Sequence, residues 1–209
     1  AAWVKTQDNT RKKTYKAVCY NLATAPDDMH VVNYVNESVT YTDDRGTQDG
    51  VTYLPSLLAI FAVCNVTRGC TNYECSNLSE VVEVDDNDAA LGTGKFILFN
   101  GEDNTVRIAQ GINSMTTTDG KTRTEDMKFI ETVEAMDMMR DDITAVFRGT
   151  YLGNYRNTRD NQMLLLSSLN MSYFRQLMQQ NILDPDFANA ARIDVDAQRA
   201  AWMASGKTE

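Results

Sequence analysis

The clearest alternation of apolar and polar positions lies between residues 122 and 148. Apolar side chains recur there every three or four residues, at Phe129, Val133, Met136, Met139 or Arg140, Ile143 and Phe147. This period is typical of an amphipathic helix. Thr122 and Glu125 fit the S/T-x-x-E capping box at a helix start. The pattern predicts a helix over about residues 123–148, ended by Gly149 or Gly153.

Weaker helical patterns occur elsewhere. One face of residues 159–182 carries Leu166, Leu169, Tyr173 and Leu177, which predicts a second long helix. Shorter helices are predicted near residues 195–204, over residues 57–66 with Pro55 in the first turn, and within "DDNDAALGTG". The first dozen residues look like the end of a helix.

Short runs of β-branched and aromatic residues predict strands. These runs are "YKAVCY" (15–20), "HVVNYV" (30–35), "EVVEV" (80–84), and "KFILFN" (95–100) with "TVRIAQ" (105–110), which together predict a hairpin. The polar stretch after residue 35, with turn signals at residues 43–44 and 49–50, predicts no strand.

Strands therefore come first along the chain and long helices last. This order predicts an α/β or α+β fold, in which a mixed β-sheet of short strands is covered by long amphipathic helices, the two longest in the C-terminal half. The chain of 209 residues suits one domain. We expect a strand-and-helix half over residues 1–100, and a half over residues 101–209 that holds a hairpin strand and the helices.

Charge and composition narrow the class of protein. A net charge of −9 argues against nucleic acid as a partner, because phosphate binding needs a concentrated basic surface. The run Arg11-Lys12-Lys13 is interpreted as a solvated helix end. The longest apolar run, "LPSLLAIFAVC", is shorter than the roughly 18 residues that span a bilayer, so no membrane span is predicted.

No catalytic or metal site is predicted. The four cysteines form no C-x-x-C pair and His30 is the single histidine, which disfavours zinc and indicates reduced thiols. No G-x-S-x-G motif is present, and nothing singles out a partner for His30. A pair of His30 with Cys19 or Cys64 stays open.

Two further patterns resemble ligand loops without completing them. In "DGKT" the first glycine of a phosphate-binding loop falls at Met115, and in "LGTGK" Phe96 replaces the hydroxyl residue. "DDNDAA" lacks the glycine and glutamate of a calcium loop. Asp137, Asp141 and Asp142 are interpreted as the wet face of the long helix. No cofactor is predicted.

Both ends of the chain look like cuts within a longer polypeptide, since the sequence opens with Ala in a helix-like segment and stops abruptly. This is an expectation about the chain, and a processed or trimmed product fits it equally well.

An ordered set of features in residues 106–183 resembles the tail sheath proteins of contractile phages, phage-like particles and R-type bacteriocins. A strand with Arg107 and Gln110 leads into Ile112-Asn113-Ser114-Met115-Thr116-Thr117, similar to the family's I-N-[ST]-[LM]-T-T. An aliphatic-Asp-aliphatic helix follows around Asp137, then an aromatic-Leu-Gly element at Gly153. Upstream, "AWVK", "YKAVCYN" and "KFILFN" resemble the prophage and bacteriocin branch.

The resemblance implies a structural protein without enzymatic activity. Such subunits polymerise helically around a tail tube and contract to drive the tube through a cell envelope. The implied partners are other sheath subunits, the tail tube protein and baseplate proteins, in a virion tail or tail-like particle assembled in the bacterial cytoplasm. The family's terminal strand arms are missing here, which implies a largely monomeric fragment.

Other interpretations remain. The chain is alternatively a small-molecule-binding or enzymatic α/β domain with an unrecognised site, and within the family the setting is a phage, a bacteriocin or another injection device. In the family motif, Asn113, Thr116 and Thr117 are expected to satisfy backbone groups of their loop.

Overall fold

The computed structural model describes residues 2–8, 14–24, 26–64 and 66–206. It divides into two compact units, Ala1–Ile143 and Thr144–Glu209, called here the N-terminal and C-terminal units. The basic run at residues 11–13 lies outside the described residues. The division expected at residue 100 stays a prediction.

The N-terminal unit contains all the strands of the described chain and four of its helices. The strands are β1 (Ala17–Tyr20), β2 (Val31–Tyr34), β3 (Ser38–Tyr41), β4 (Thr47–Asp49), β5 (Leu78–Val81), β6 (Lys95–Phe96), β7 (Leu98–Asn100) and β8 (Val106–Ile108). The helices are α1 (Ala2–Thr6), α2 (Leu54–Val63), α3 (Asn87–Gly92) and α4 (Ile130–Val146), the last of which extends past the unit boundary.

The strands form three small sheets. Strand β2 lies between β1 and β6 and pairs with both in parallel, which fits its continuous burial, since parallel strands are covered on both faces. Strand β3 pairs antiparallel with β4 and β5. Strands β7 and β8 form the predicted hairpin, closed by a turn in which the Gly101 N–H donates to the Thr105 carbonyl at 2.7 Å.

One buried amide joins these sheets. Asn36, which follows β2, is fully buried; its Oδ1 accepts from the Leu98 N–H at 2.8 Å, and its Nδ2 donates to the carbonyls of Leu98 and Val82 at 2.9 and 3.0 Å. The side chain thus replaces a missing ladder between β7 and the ends of β2 and β5. Around it, the main apolar core is built from β2, β3, α2, β5, β6, β7 and β8.

The C-terminal unit consists, in its described part, of helices and the loops that join them. It holds α5 (Arg159–Ser168), α6 (Phe174–Gln179) and α7 (Val195–Ala204), with π-helical turns at Phe147–Tyr151 and Leu169–Tyr173. The second turn joins α5 to α6 without a break. Helix α7 starts where Asp194 Oδ1 accepts from the Ala197 N–H at 2.8 Å, an N-cap bond.

The α+β class is confirmed, and so are the hairpin, α7 and the helix predicted over residues 159–182. The capping box at Thr122 and Glu125 is wrong, since α4 begins only at Ile130. The Thr122 hydroxyl donates to Asp119, and Glu125 accepts from the Thr118 hydroxyl at 2.8 Å, because residues 119–123 form a loop that Asp119 closes. Strands β3 and β4 were not predicted.

Gly50 gives a stringent test of this packing. A Cβ atom there would lie 1.9 Å from the Asn36 carbonyl oxygen, so Gly50→Ala must displace backbone. We expect a loss of about 1–3 kcal/mol in the free energy of unfolding, measured by chemical denaturation. The matched control is Gly92→Ala at the end of α3, where a Cβ meets nothing within 4 Å; it should be neutral or stabilising by up to about 1 kcal/mol. Equal effects of the two substitutions would contradict the packing around Asn36.

Candidate functional site

The loop after β8 carries most of the motif residues. Arg107, on β8, pairs with Asp103 at 3.0 Å and Glu74 at 3.5 Å. The Gln110 carbonyl accepts from the Ile112 N–H at 2.9 Å, and buried Ile112 forms a β-bridge with Phe129. The chain therefore turns sharply after β8 and then runs beside the segment that precedes α4.

Asn113 holds this loop against that segment. Its buried side chain donates to the Met127 carbonyl at 2.7 Å and accepts from the Met115 N–H at 2.9 Å, while its own N–H donates to the Lys128 carbonyl at 2.9 Å. A cavity of about 230 Å³ lies beside it, lined in part by Gln110 and Phe129. The bonds of Asn113 are to backbone groups, so the side chain shapes the loop.

The second half of the loop is held by Asp27, a residue that the sequence did not single out. Its Oδ1 accepts from the N–H groups of Thr116 and Thr117 at 2.8 and 2.9 Å, and Arg123 pairs with the same carboxylate at 2.9 Å. Asp27 thus caps the backbone N–H groups of the two threonines. Burial opposes ionisation of Asp27, but the N–H groups of Thr117 and Thr116 and the Arg123 guanidinium outweigh it and hold its pKa well below the usual range.

Asp137 does not lie on a wet face, as the sequence suggested for it. It is 8% exposed, because it lies one turn after buried Val133 on the same side of α4. Its Oδ2 is 3.1 Å from the Nε2 of His30 and 3.1 Å from the Nζ of Lys16. These three residues are called the His30 cluster. No local pattern marks it, since His30 and Asp137 are 107 positions apart.

The electrostatics of the His30 cluster favour opposite charges. The hydrogen bond that the His30 ring donates to Asp137 raises the pKa of His30 against the opposing effect of burial, and the charges of Asp137, Asp8 and Asp28 add to the increase. Burial opposes the ionisation of Asp137, but the His30 bond and the Lys16 charge outweigh it and lower the Asp137 pKa. The cluster is thus arranged to hold a carboxylate between two cations.

Three of the four cysteines, Cys64, Cys70 and Cys75, are poorly suited to nucleophilic chemistry. Burial raises the pKa of Cys70 to about 12 and that of Cys75 to about 11, and it also raises the pKa of Cys64. A thiol with a raised pKa is a weak nucleophile near neutral pH. Within the described ranges, no group of three or more His, Cys, Asp or Glu side chains is arranged to hold a metal ion.

The C-terminal unit differs from the rest in what it exposes. Leu177 is the one buried apolar side chain in its described part. Exposed large apolar side chains, called here the C-terminal apolar surface, are Val146, Phe147, Leu152, Tyr155, Met163, Leu164, Met171, Phe187, Val195, Trp202 and Met203. Large exposed apolar areas mark interaction sites.

A groove lies within this unit. It has a volume of about 710 Å³ and is lined by apolar side chains that include Tyr151, Leu165, Leu166 and Ile193. Gly153 also lines it; the residue has φ +83° and ends the π-helical turn, a conformation that favours glycine. The arrangement offers an apolar docking surface.

Formal charge is also distributed unevenly between the two units. Residues 1–143 contain 13 Lys and Arg against 23 Asp and Glu, a net charge of −10, whereas residues 144–209 contain 7 against 6, a net charge of +1. The acidic charge thus belongs to the N-terminal unit, which holds the core.

No helix in the described part of the chain is both long enough and apolar enough to cross a membrane.

Comparison with known proteins shows which proteins this chain resembles. Residues 122–206 match the family model for the phage tail sheath C-terminal domain. The tail sheath protein of Clostridium phage phiCD119 is 27% identical over 98% of this chain and 55% of its own length. The resemblance to tail sheath proteins is thereby confirmed. The chain spans about half the length of that curated relative.

Solved structures show the same fold. The crystal structure of the sheath tail protein from Desulfitobacterium hafniense matches 86% of this chain and 41% of its own, with a TM-score of 0.75 and 21% identity. The contracted helical sheath of the anti-feeding prophage matches 79% of this chain and 46% of its own, with a TM-score of 0.60 and 15% identity.

Asn113→Ala tests the loop. Removing the amide leaves the Met127 carbonyl and the Met115 N–H without their partner, so we expect a loss of about 1–2 kcal/mol in unfolding free energy. The control is Lys121→Ala, an exposed position in the following turn, which should change it by less than about 0.5 kcal/mol. An unchanged melting midpoint for Asn113→Ala would show that the loop does not depend on this side chain.

Asp27→Asn tests whether the Asp27 carboxylate holds the second half of the loop, through the pH dependence of the free energy of unfolding. A carboxylate whose folded pKa is lowered contributes stability above its unfolded pKa of about 3.9, and this contribution is lost as the pH falls through the folded pKa. We expect the variant to be less stable than the wild type at pH 7 by about 1–3 kcal/mol. The difference should shrink as the pH falls below about 4. A constant difference from pH 7 to pH 3 would rule out an ionised Asp27 as its source.

Proposed function

We propose that this chain, which resembles tail sheath proteins along nearly its whole length, is the central-to-C-terminal part of a contractile tail sheath subunit. Subunits of this kind polymerise helically around a tail tube and contract to drive the tube through a cell envelope. The observation that carries the proposal is the C-terminal apolar surface, since a helical unit with a single described buried apolar residue, Leu177, gains most by packing against other molecules.

The proposed mechanism needs no reaction. The N-terminal unit acts as a stiff body, held by the buried amides of Asn36 and Asn113 and by the carboxylates of Asp27 and Asp137. Stiff bodies joined by an interface with two packings convert small contact changes into large movements. The energy released on contraction comes from improved packing between subunits, so the chain acts without a cofactor and is not an enzyme.

The proposed partners follow from the same role. Other sheath subunits join through terminal arms, and the tail tube protein and baseplate proteins complete the particle, which is assembled in the bacterial cytoplasm. The charge division supports contact between unlike surfaces: residues 1–143 carry −10 and residues 144–209 carry +1, and complementary potentials favour one register of association.

The motif residues have a structural role in this proposal. Arg107, Gln110, Ile112, Asn113, Thr116 and Thr117 shape the loop between β8 and α4, Asp137 anchors α4, and Gly153 ends the turn that precedes α5. None of them is proposed to touch a substrate. Apart from Gly153, their shared effect is to fix where α4 begins and how firmly it is held.

The test is assembly of the full-length protein with its tail tube protein, viewed by electron microscopy. Met163→Glu combined with Leu164→Glu places two charges on α5 at side chains that are each 50% exposed, so the fold should survive. Burying a carboxylate in an interface opposes association. We expect at least about tenfold more unassembled protein, which corresponds to about 1.4 kcal/mol.

The control adds the same charge elsewhere. Gln179→Glu with Gln180→Glu alters exposed polar positions at the end of α6 and should assemble like the wild type. Helix content of both variants is checked by circular dichroism. Normal tubes from the Met163/Leu164 variant would contradict an assembly role for the C-terminal apolar surface, and absence of any tubes from the wild type would contradict the sheath function itself.

A further inference from the structure

We propose that protonation of His30 controls how strongly the His30 cluster binds α4 to the parallel sheet. The contact is stronger while His30 is protonated and weaker when His30 is neutral. The inference concerns the N-terminal unit alone and holds whichever particle the chain enters. It concerns the protonation of His30, the one histidine of the chain, which the structural function does not use.

The His30 cluster lies where it can connect α4 to the parallel sheet. His30 directly precedes β2, the buried central strand of the parallel sheet, and Lys16 directly precedes β1. Asp137 lies in the middle of α4. One carboxylate oxygen therefore joins the helix to the starts of two strands, at 3.1 Å in each case. The side chains of His30 and Asp137 are 7% and 11% exposed, so water competes little for these bonds.

Carboxylates face both nitrogens of the His30 ring. The ring Nε2 is 3.1 Å from Asp137, and the ring Nδ1 is 3.9 Å from the Oδ1 of Asp28. The same Oδ1 accepts a hydrogen bond from the backbone N–H of His30 at 2.8 Å. A neutral imidazole has one N–H donor, whereas the imidazolium has two and a positive charge. The protonated ring donates from Nε2 to Asp137, and its positive charge is attracted by Asp137, Asp8 and Asp28; together these outweigh burial and raise the pKa of His30.

Among the other charged groups near the ring, Asp27 lies beside Asp28 before β2 and pairs with Arg123 at 2.9 Å. The remaining groups belong to four segments. Lys5 and Asp8 come from α1 and the residues after it, Arg123 from the loop before α4, Lys16 from the start of β1, and Glu134 and Arg140 from α4. Lys5 pairs with Asp28 at 3.8 Å, Arg140 with Asp8 at 3.3 Å, and Lys16 with Glu134 at 2.6 Å. Lys16 and Arg140 divide their charge between Asp137 and the carboxylates of Glu134 and Asp8, so Asp137 keeps its attraction for a proton on His30. Lys5 pairs with Asp28 itself and weakens the attraction of Asp28.

The direction of the effect follows from linkage. A histidine whose folded pKa is raised contributes stability that is fully present below its unfolded pKa of about 6.5 and is lost as the pH rises through the folded pKa. Above that pH the neutral ring still donates one hydrogen bond from Nε2, and Lys16 still pairs with Asp137. The contact between α4 and the parallel sheet is then weaker, so α4 stays in place but opens locally at a lower free-energy cost.

The single histidine makes the test direct. In the full chain, the imidazole resonances of His30 are followed by NMR from pH 5 to pH 9. We expect a pKa above 6.5 in the wild type, a lower value in Asp137→Asn, and a still higher value in Lys16→Met, which removes a competing cation. Asp141→Asn, one turn further along α4 and exposed, serves as the control and should leave the pKa unchanged.

A second readout links the proton to the helix. Amide hydrogen exchange of α4, corrected for the intrinsic pH dependence, should show less protection as the pH rises through the His30 pKa, and this change should be absent in His30→Gln. A wild-type pKa at or below 6.5 would overturn the proposal without the need for any variant. So would α4 protection that is independent of pH, or that changes equally in His30→Gln.

Discussion

Uneven burial of apolar side chains between the two units is the constraint on which the rest of this protein depends. The N-terminal unit closes a continuous core around β2, β3 and α2, whereas the described C-terminal unit buries Leu177 and exposes side chains such as Phe187 and Trp202. Each square ångström of apolar surface removed from water contributes roughly 25 cal/mol. The exposed apolar area of the C-terminal unit is therefore the surface that would gain most from packing against other molecules, as in the proposed sheath subunit.

Polar side chains account for the stiffness of the N-terminal unit. Asn36, Asn113, Asp27 and Asp137 each bind groups that are distant in the sequence or belong to another element. Removing one partner of such a bond leaves a buried group unsatisfied, so each bond restricts sliding between elements. A body fixed in this way transmits a displacement at one surface to another, which is the property that the proposed contraction would use.

Local signals in the sequence predicted local structure well. The hairpin of β7 and β8, the helix from α5 to α6, and α7 each rest on short-range patterns. Strands β3 and β4 were missed because only Val39 and Tyr41 face the core and turn residues surround them. The capping box failed because Asp119 competes for the Thr122 hydroxyl. The roles of Asp27 and Asp137 depend on partners about 90 to 107 positions away, which no local pattern reports.

Hydrogen–deuterium exchange of residues 159–204, compared between unassembled full-length protein and assembled tubes, tests this division most directly. If the C-terminal unit depends on neighbouring molecules for its stability, its amides exchange rapidly in the unassembled protein and become strongly protected in the tubes, while the β2 and β3 amides are protected in both. Equal and strong protection of residues 159–204 in the two states would contradict the account, because it would show a helical unit that is stable by itself.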